Sequence, residues 1–306
     1  MGKFSGFQCI VCGSKSLPKD TGFRPRDKKE AFCVECSKCG HNQIYPYMNK
    51  EEYIKEYNEG NSFKSEVVKI AESADFETAR IKWSEWNRKH VELYYDRMQQ
   101  HDHVLNLGSG YGFFEESINQ MKGKHFTIEG VEIGQYRLEA YVGGAVHNIN
   151  FSVEKVPKEM EGKYDLIICM HLLEHLYDPV NYLQNIKPLL AKNGECIFEV
   201  PNNDCYLKEL SKEYADFFYL YEHISNYDKD SIRMVFEKAG YKVKKIYTKE
   251  IYSLENHLNW IRNGKPFIKY NQMYMPDERL EFVNSLYHEY IEKMGKGYSL
   301  IIEATL

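Results

Sequence analysis

The stretch "HVLNLGSGYGFFEES", His103–Ser117, runs an apolar strand into glycines at 108, 110 and 112 and then into a helical pattern. Glycine enters left-handed backbone conformations at no steric cost, so three at alternate positions let the chain reverse tightly and approach a ligand closely. The helix that follows presents amide N–H groups not used within it. A dinucleotide fingerprint wants its third glycine at 113, where this chain has Phe113; the spacing is Gly-x-Gly-x-Gly and the fingerprint is not met. Taken alone, such a turn can be no more than a turn.

The surrounding pattern gives it a context. Alternation and apolar runs predict strands at 103–107, 126–132, 164–170, 195–200, 242–246 and 298–305, with a weaker one at 146–149. Helical periodicity falls between them, at 113–121, 136–142, 180–190 and 229–239. This alternation predicts an α/β, doubly wound, Rossmann-like sheet whose ligand lies beyond the carboxyl ends of the central strands. Glu132 ends the second strand, where a carboxylate can accept both hydroxyls of a ribose. Phe76–Met98, with Trp83, Trp86, Tyr94 and Tyr95, reads as a helix leading into this domain, its aromatics as packing. Residues 253–266 and 277–295 read as helices inserted before the closing strand, with Asn256, His257 and Trp260 as candidate acceptor contacts set against a packing role.

The cysteines mark a second region. Of eight, five precede residue 40, and "CIVCG" and "CSKCG" place Cys9, Cys12, Cys36 and Cys39 in two Cys-x-x-Cys-Gly turns. Two such turns bring four thiolates to one tetrahedral ion, so they predict a closed, structural zinc site. Cys33 adds a fifth thiol and leaves the register open, and an iron–sulfur cluster is the alternative. The loop "RPRDKK" between the turns reads as solvated, with contact to an anionic partner as the other reading. From Asn49 the pattern turns helical, with Asn49 and Glu52 in capping-box spacing. The expected organisation is a zinc-ribbon domain at 1–48, a helical connector at 49–74 and a large domain at 75–306 with a helical insertion at about 252–295.

Charge narrows the partners. The formal net charge is -5 and the pI about 6.2, so no general attraction to nucleic acid or anionic membranes is expected. No segment approaches the roughly 18 apolar residues of a membrane span, and the N-terminus has no apolar signal core. A cytoplasmic location is the expectation, without membrane or nucleic-acid partners.

"YDLIICMHLLEHLYDP" (164–179), "LLAKNGECIFEVPN" (189–202) and "YEHISNYDKDSIRMVFEKAGYKV" (221–243), following the glycine turn and the acidic second strand, resemble the class I S-adenosylmethionine-dependent methyltransferases over about residues 75–250. The resemblance implies a seven-stranded sheet in the order 3-2-1-4-5-7-6, its last strand antiparallel, and methyl transfer from the cofactor's sulfonium. It implies that Asn106, Gly108, Ser109, Gly110 and Gly112 embrace the methionine end of S-adenosylmethionine and that Glu132, with Ile133 beside it, holds the ribose. Ser152 stands where the family often places an acid for the adenine amino group, Val153 would pack on the ring, and Met170 and His171 would face cofactor and substrate. Asn106 and Ser152 depart from the acidic residues of many members, keeping hydrogen bonding but losing charge. The cysteine turns also resemble zinc-ribbon-bearing bacterial methyltransferases of sugar and surface-polysaccharide pathways, which implies a small-molecule acceptor, a sugar or nucleotide-linked sugar hydroxyl.

In-line displacement at the methyl needs a positioned nucleophile, and a base if that nucleophile is a hydroxyl. "HLLEH" and "YEH" offer His171, Glu174, His175, Glu222 and His223. Small-RNA terminal-nucleotide and ubiquinone-pathway O-methyltransferases resemble this chain in an E-x-x-E-H pattern that binds a divalent metal; here it would read His171, Glu174 and His175, with His223 as a further ligand. The plainer reading has His171 alone act as base or line the pocket and gives Glu174 and His175 a bracing role. An RNA-directed enzyme with a metal-assisted site, and a non-catalytic binding protein with a decayed cofactor site, are the competing functions.

Overall fold

The computed structural model describes residues 3–47, 51, 76–267 and 278–306. The expected connector and its Asn49/Glu52 cap lie outside the described residues, Glu51 excepted. Three short strands come first: β1 (Lys19–Asp20), β2 (Phe32–Glu35) and β3 (Asn42–Tyr45). Then follow α1 (Phe76–Met98), β4 (His103–Leu107), α2 (Phe113–Asn119), β5 (Thr127–Val131), α3 (Gln135–Glu139), β6 (Val146–His147) and β7 (Tyr164–Met170). After these come α4 (Pro179–Ile186), β8 (Leu190–Pro201), α5 (Tyr206–Leu210), α6 (Lys212–Phe218) and β9 (Ser225–Asn226). The chain closes with α7 (Lys229–Lys238), β10 (Lys242–Lys249), α8 (Leu254–Asn263), α9 (Glu281–Lys293) and β11 (Ser299–Thr305).

Seven strands form a mixed sheet in the order β10-β11-β8-β7-β4-β5-β6. Numbered within the sheet along the chain, this is the expected 3-2-1-4-5-7-6. The chain divides into two compact units, one of Met1–Tyr47, Leu173–Val180 and Glu199–Ile302, the other of Met48–Leu172, Asn181–Phe198 and Glu303–Leu306.

In the second of these, β4 pairs in parallel with β5 and β7, which sets Asn106 beside Gly130 and Ile168. Strands flanked on both sides have little to show water, and β4 is buried from Val104 to Leu107. Helix α1 packs against α2 and buries Asn87, His90, Val91, Tyr94 and Met98, the three-and-four spacing of one helical face. Its last turn is pinned by a fork from Arg97 Nε and Nη2 to the Glu195 carboxylate at 2.6 and 2.5 Å, with His101 Nε2 3.0 Å away on the same group. The His101 contact, together with Arg97, holds the Glu195 carboxyl down at about 2.

In the first unit, β1, β2, β3 and β9 form an antiparallel four-stranded sheet in that order. Helix α7 opens with a reciprocal box: Asp228 accepts the Ser231 N–H at 2.7 Å while Ser231 Oγ accepts the Asp228 N–H at 3.0 Å. The inserted helices are present as α8 and α9. Their three candidate contacts are packed: Trp260 lies against Tyr214 and Phe217, Asn256 Oδ1 accepts the Phe267 N–H, and the Tyr287 hydroxyl meets His257 Nδ1 at 2.6 Å. Among the described residues, no helix is long and apolar enough to cross a membrane.

Candidate active site

All three glycines after β4 need to be glycine. Gly108, Gly110 and Gly112 have φ of 78°, 59° and 78°, left-handed values that a side chain resists. A Cβ on Gly112 would stand 2.5 Å from the Gly143 nitrogen, whereas one on Gly110 would meet nothing within 4 Å. The loop is therefore closed at Gly112 and open at Gly110. The Gly108 and Ser109 N–H groups donate to the Val131 carbonyl at the end of β5, which ties the turn to the neighbouring strand.

Glu132, 2% exposed, sits at the centre of this turn. Its carboxylate accepts the N–H groups of Gly110 (2.8 Å), Ile133 (2.9 Å) and Gly134 (2.7 Å), with Arg137 Nη1 at 3.5 Å. The predicted Ile133 meets Glu132 through its backbone N–H. Ser152 and Val153 lie in a turn stapled by Asn150, whose carbonyl accepts from Val153 and Glu154 and whose Oδ1 accepts the Ser152 N–H. Val153 is 55% exposed, an apolar surface free to meet a flat ring. These features fit a nucleoside-bearing cofactor: open space over Gly110, a buried carboxylate at the strand end and an exposed aliphatic wall.

Asn106 has an unforeseen companion. Its Nδ2 donates at 2.7 Å to Oε1 of Glu115, a carboxyl that is 0% exposed in the first turn of α2. Burial raises this carboxyl to about 7. An acid thus stands behind position 106, brought there by the helix that follows the loop. Nothing in "GFFEES" distinguishes Glu115 from Glu116, because both look like acids placed at a helix start.

Beyond β7, Met170 is buried and His171 takes φ 52°, the one non-glycine residue with positive φ among the described residues. Its ring lies 5.9 Å from that of Trp86 and 6.3 Å from that of His90. Such a conformation costs a β-carbon residue about 1–3 kcal/mol and persists where surroundings impose it.

In the other unit, a short 3₁₀ turn, Leu173–His175, brings Glu174 and His175 to His223. The three offer donor atoms within 4.8 Å of one another, and the imidazoles of His175 and His223 meet edge to face at 4.8 Å. His175 Nδ1 lies 3.2 Å from the Glu222 carbonyl. A carbonyl can only accept, so Nδ1 carries a proton. Glu174 is 1% exposed.

The four predicted metal cysteines also converge. Cys9 Sγ and Cys39 Sγ are 3.7 Å apart, Cys12 Sγ and Cys36 Sγ 3.6 Å, against the ~3.8 Å edge of a tetrahedron with Zn–S bonds of ~2.3 Å. The two turns repeat each other: Gly13 N–H donates to the Cys9 carbonyl and Gly40 N–H to that of Cys36, both glycines at φ 76°. Cys33 stands outside the cluster, 0% exposed on β2, its thiol pushed up to about 12 by burial.

The family described as "Methyltransferase domain" matches residues 82–246, more than half of the chain. Curated relatives include the ubiquinone biosynthesis O-methyltransferase of Vibrio parahaemolyticus, 29% identical over 107 residues that cover 33% of this chain and 44% of that protein. The protein of the same name from Acinetobacter baumannii is 29% identical over 109 residues, covering 33% and 44%. The matched stretch is thus less than half the length of these relatives. Among solved structures, a SAM dependent methyltransferase from Archaeoglobus fulgidus superposes with a TM-score of 0.48 and 18% identity, over 72% of this chain and 93% of that one.

Proposed function

The chain belongs to the methyltransferase-domain family, and from that premise we propose that it transfers a methyl group from S-adenosylmethionine to a hydroxyl of a small molecule. Bound S-adenosylmethionine supplies a methyl made electrophilic by the sulfonium. The observation that carries this reading is the glycine turn, open over Gly110 and bonded to the buried Glu132 carboxylate. Gly108, Ser109, Gly110 and Gly112 hold the methionine end; Asn106 braces the turn from behind with Glu115; Ser152 and Val153 take the adenine. A carboxylate has about four acceptor sites, and three of Glu132's face backbone N–H groups. Arg137 Nη1 stands 3.5 Å from the same oxygen as the Gly110 N–H, so ribose hydroxyls bind as the Arg137 guanidinium or the Gly110 N–H moves aside. Met170 packs at the cofactor's side, and His171, held in a strained conformation, takes the acceptor's proton.

An oxygen acceptor is supported by the name of the O-methyltransferases above. A sugar or nucleotide-linked sugar is the leading acceptor class, supported only by the resemblance of the cysteine turns to enzymes of polysaccharide pathways. Zinc in the Cys9, Cys12, Cys36 and Cys39 site is structural, because four thiolates leave no open position.

Titration with S-adenosylmethionine and S-adenosylhomocysteine, with NADH as control and zinc measured on the same sample, tests the reading. Micromolar binding of the two sulfur compounds alone supports it, and an acceptor screen then opens with nucleotide sugars and phenols. Absence of binding by folded chain overturns it in favour of a decayed site. A second reading is favoured by the convergence of Glu174, His175 and His223: these residues hold a divalent cation that lowers the acceptor hydroxyl's pKa. Manganese binding by the parent chain and its loss in His223→Ala would support that version, and manganese binding indifferent to His223 would remove it.

A further inference from the structure

The loop between the two cysteine turns spends its polar groups on the chain itself. The Arg26 N–H donates to the Tyr219 carbonyl at 3.0 Å, and Arg26 Nη1 donates to the Phe217 carbonyl at 2.6 Å while the guanidinium lies 3.7 Å from the Phe217 ring centre. Asp27 Oδ1 accepts the Tyr221 N–H at 2.9 Å. Phe23 packs on Tyr219, ring centres 5.3 Å apart. A few residues further along the segment, the grip resumes from β3. The Ile44 N–H donates to the Ile224 carbonyl at 2.9 Å, and β3 pairs with β9 as Gln43 with Ser225 and Asn42 with Asn226.

Between these two holds lie Glu222 and His223. The residues from Tyr219 to Ile224 belong to no helix or strand, and the segment's own bonds are the tight contacts of His223 N–H with the Leu220 carbonyl and Ile224 N–H with that of Glu222. Order in such a loop depends on what grips it. A third tie starts at the second cysteine turn. His41, next after Gly40, is 0% exposed and lies 5.4 Å from the Tyr227 ring, whose hydroxyl reaches the Leu173 carbonyl at 3.5 Å, next to Glu174.

We propose that the cysteine-turn region is a metal-set clamp on residues 217–227, with Arg26 and Asp27 as positioning residues that hold His223 against Glu174 and His175. Cys9, Cys12, Cys36 and Cys39 would hold the ion, which would fix the two turns; the turns position the loop 24–29 and β3, and those hold the segment from both sides. The consequence for catalysis rests on the reading of Glu174, His175 and His223 as acceptor-side groups; the clamp itself does not.

Hydrogen exchange read by mass spectrometry on the full chain tests it, comparing parent, chelator-stripped parent, Arg26→Ala, Asp27→Ala and Asp27→Asn. Zinc content and S-adenosylhomocysteine affinity are measured on each. Both alanine variants are expected to keep zinc and to bind S-adenosylhomocysteine within about twofold, while exchange across 217–227 rises on the order of tenfold and peptides of 103–107 stay protected. Asp27→Asn keeps an acceptor for the Tyr221 N–H and should restore protection close to that of the parent. The stripped parent should lose protection over the same residues. Unchanged exchange at 217–227 in either the alanine variants or the stripped chain overturns the clamp, as does an equal rise at 103–107, which would mean general unfolding. A His223→Ala chain that retains full methyl transfer removes the acceptor-side reading while the exchange result still decides the clamp.

Discussion

Replacing His171 separates a strained residue kept for its side chain from an ordinary one. At φ 52° a residue with a β-carbon pays about 1–2 kcal/mol for the left-handed conformation. Alanine keeps that strain and loses the imidazole, with its neighbours Trp86 and His90. Glycine loses the imidazole and the strain together, but costs about 0.5–1 kcal/mol more in unfolded-chain entropy than alanine. The imidazole cancels between the two variants, leaving strain minus entropy. His171→Gly should therefore be the more stable by about 1 kcal/mol, whereas at a right-handed position alanine would win by a similar amount. Urea unfolding followed by tryptophan fluorescence reads the difference as a midpoint higher by about 0.3 M for glycine, taking m near 3 kcal/mol/M. Both variants should bind S-adenosylhomocysteine yet transfer methyl at a rate reduced by about 10²–10⁴, the usual worth of a general base. An alanine variant as stable as the glycine one would refute the strain argument, and an active variant of either kind would refute the base.

Other perturbations read other parts. Burial raises the Glu115 carboxyl from 4.5 to about 7, so the folded chain prefers it protonated: its stabilisation is full below pH 4.5 and is lost as pH rises through 7. Glu115→Gln should flatten urea stability over that window and exceed the parent at pH 8; an unchanged slope would count against the assignment. Glu195 runs the other way, since its carboxyl sits at about 2 under the His101 contact and Arg97, so its contribution is present above pH 4.5 and fades as pH falls through 2. Arg97→Ala should weaken the parent's acid resistance and cost about 1–2 kcal/mol at neutral pH by denaturant titration. Gly112→Ala puts a methyl 2.5 Å from the Gly143 nitrogen and should destabilise by about 3 kcal/mol or more. Gly110→Ala has room and should cost only about 1–2 kcal/mol yet sharply weaken S-adenosylmethionine binding in calorimetry.

Local chemistry made much of this legible. Helix α1 and strand β7 run over the residues their periodicity marks, and the three glycines and four cysteines announce themselves because few other residues can do what those positions require. What the sequence hid is non-local. "AKNGE" looks like a turn ahead of a strand at Glu195, but β8 begins at Leu190 and runs through Gly194, where a Cβ would meet the Tyr164 carbonyl at 2.9 Å. That glycine marks a close backbone approach within a sheet, which no local pattern reveals. The pairing of β3 with the two-residue β9 is equally invisible, because neither partner has enough length to show a period. Glu115 is hidden for a different reason: a helix-start acid is normally solvated, and only its packing reveals otherwise.

The same packing constrains the two versions of the acceptor side. Glu174 is 1% exposed beside two imidazoles, and a carboxylate so far from water is stabilised by positive charge nearby. A divalent cation held there would supply that charge, with both histidines neutral as ligands must be. Without a cation, burial disfavours the charged form of such a carboxyl. Under the proposed function two arrangements compete: a cation held by Glu174, His175 and His223 that would activate the hydroxyl, or a pair that braces the loop while His171 is the base. Activity that is indifferent to chelation after zinc is restored, together with a pH–rate profile abolished only by replacing His171, would select the second; activity restored by manganese alone would select the first.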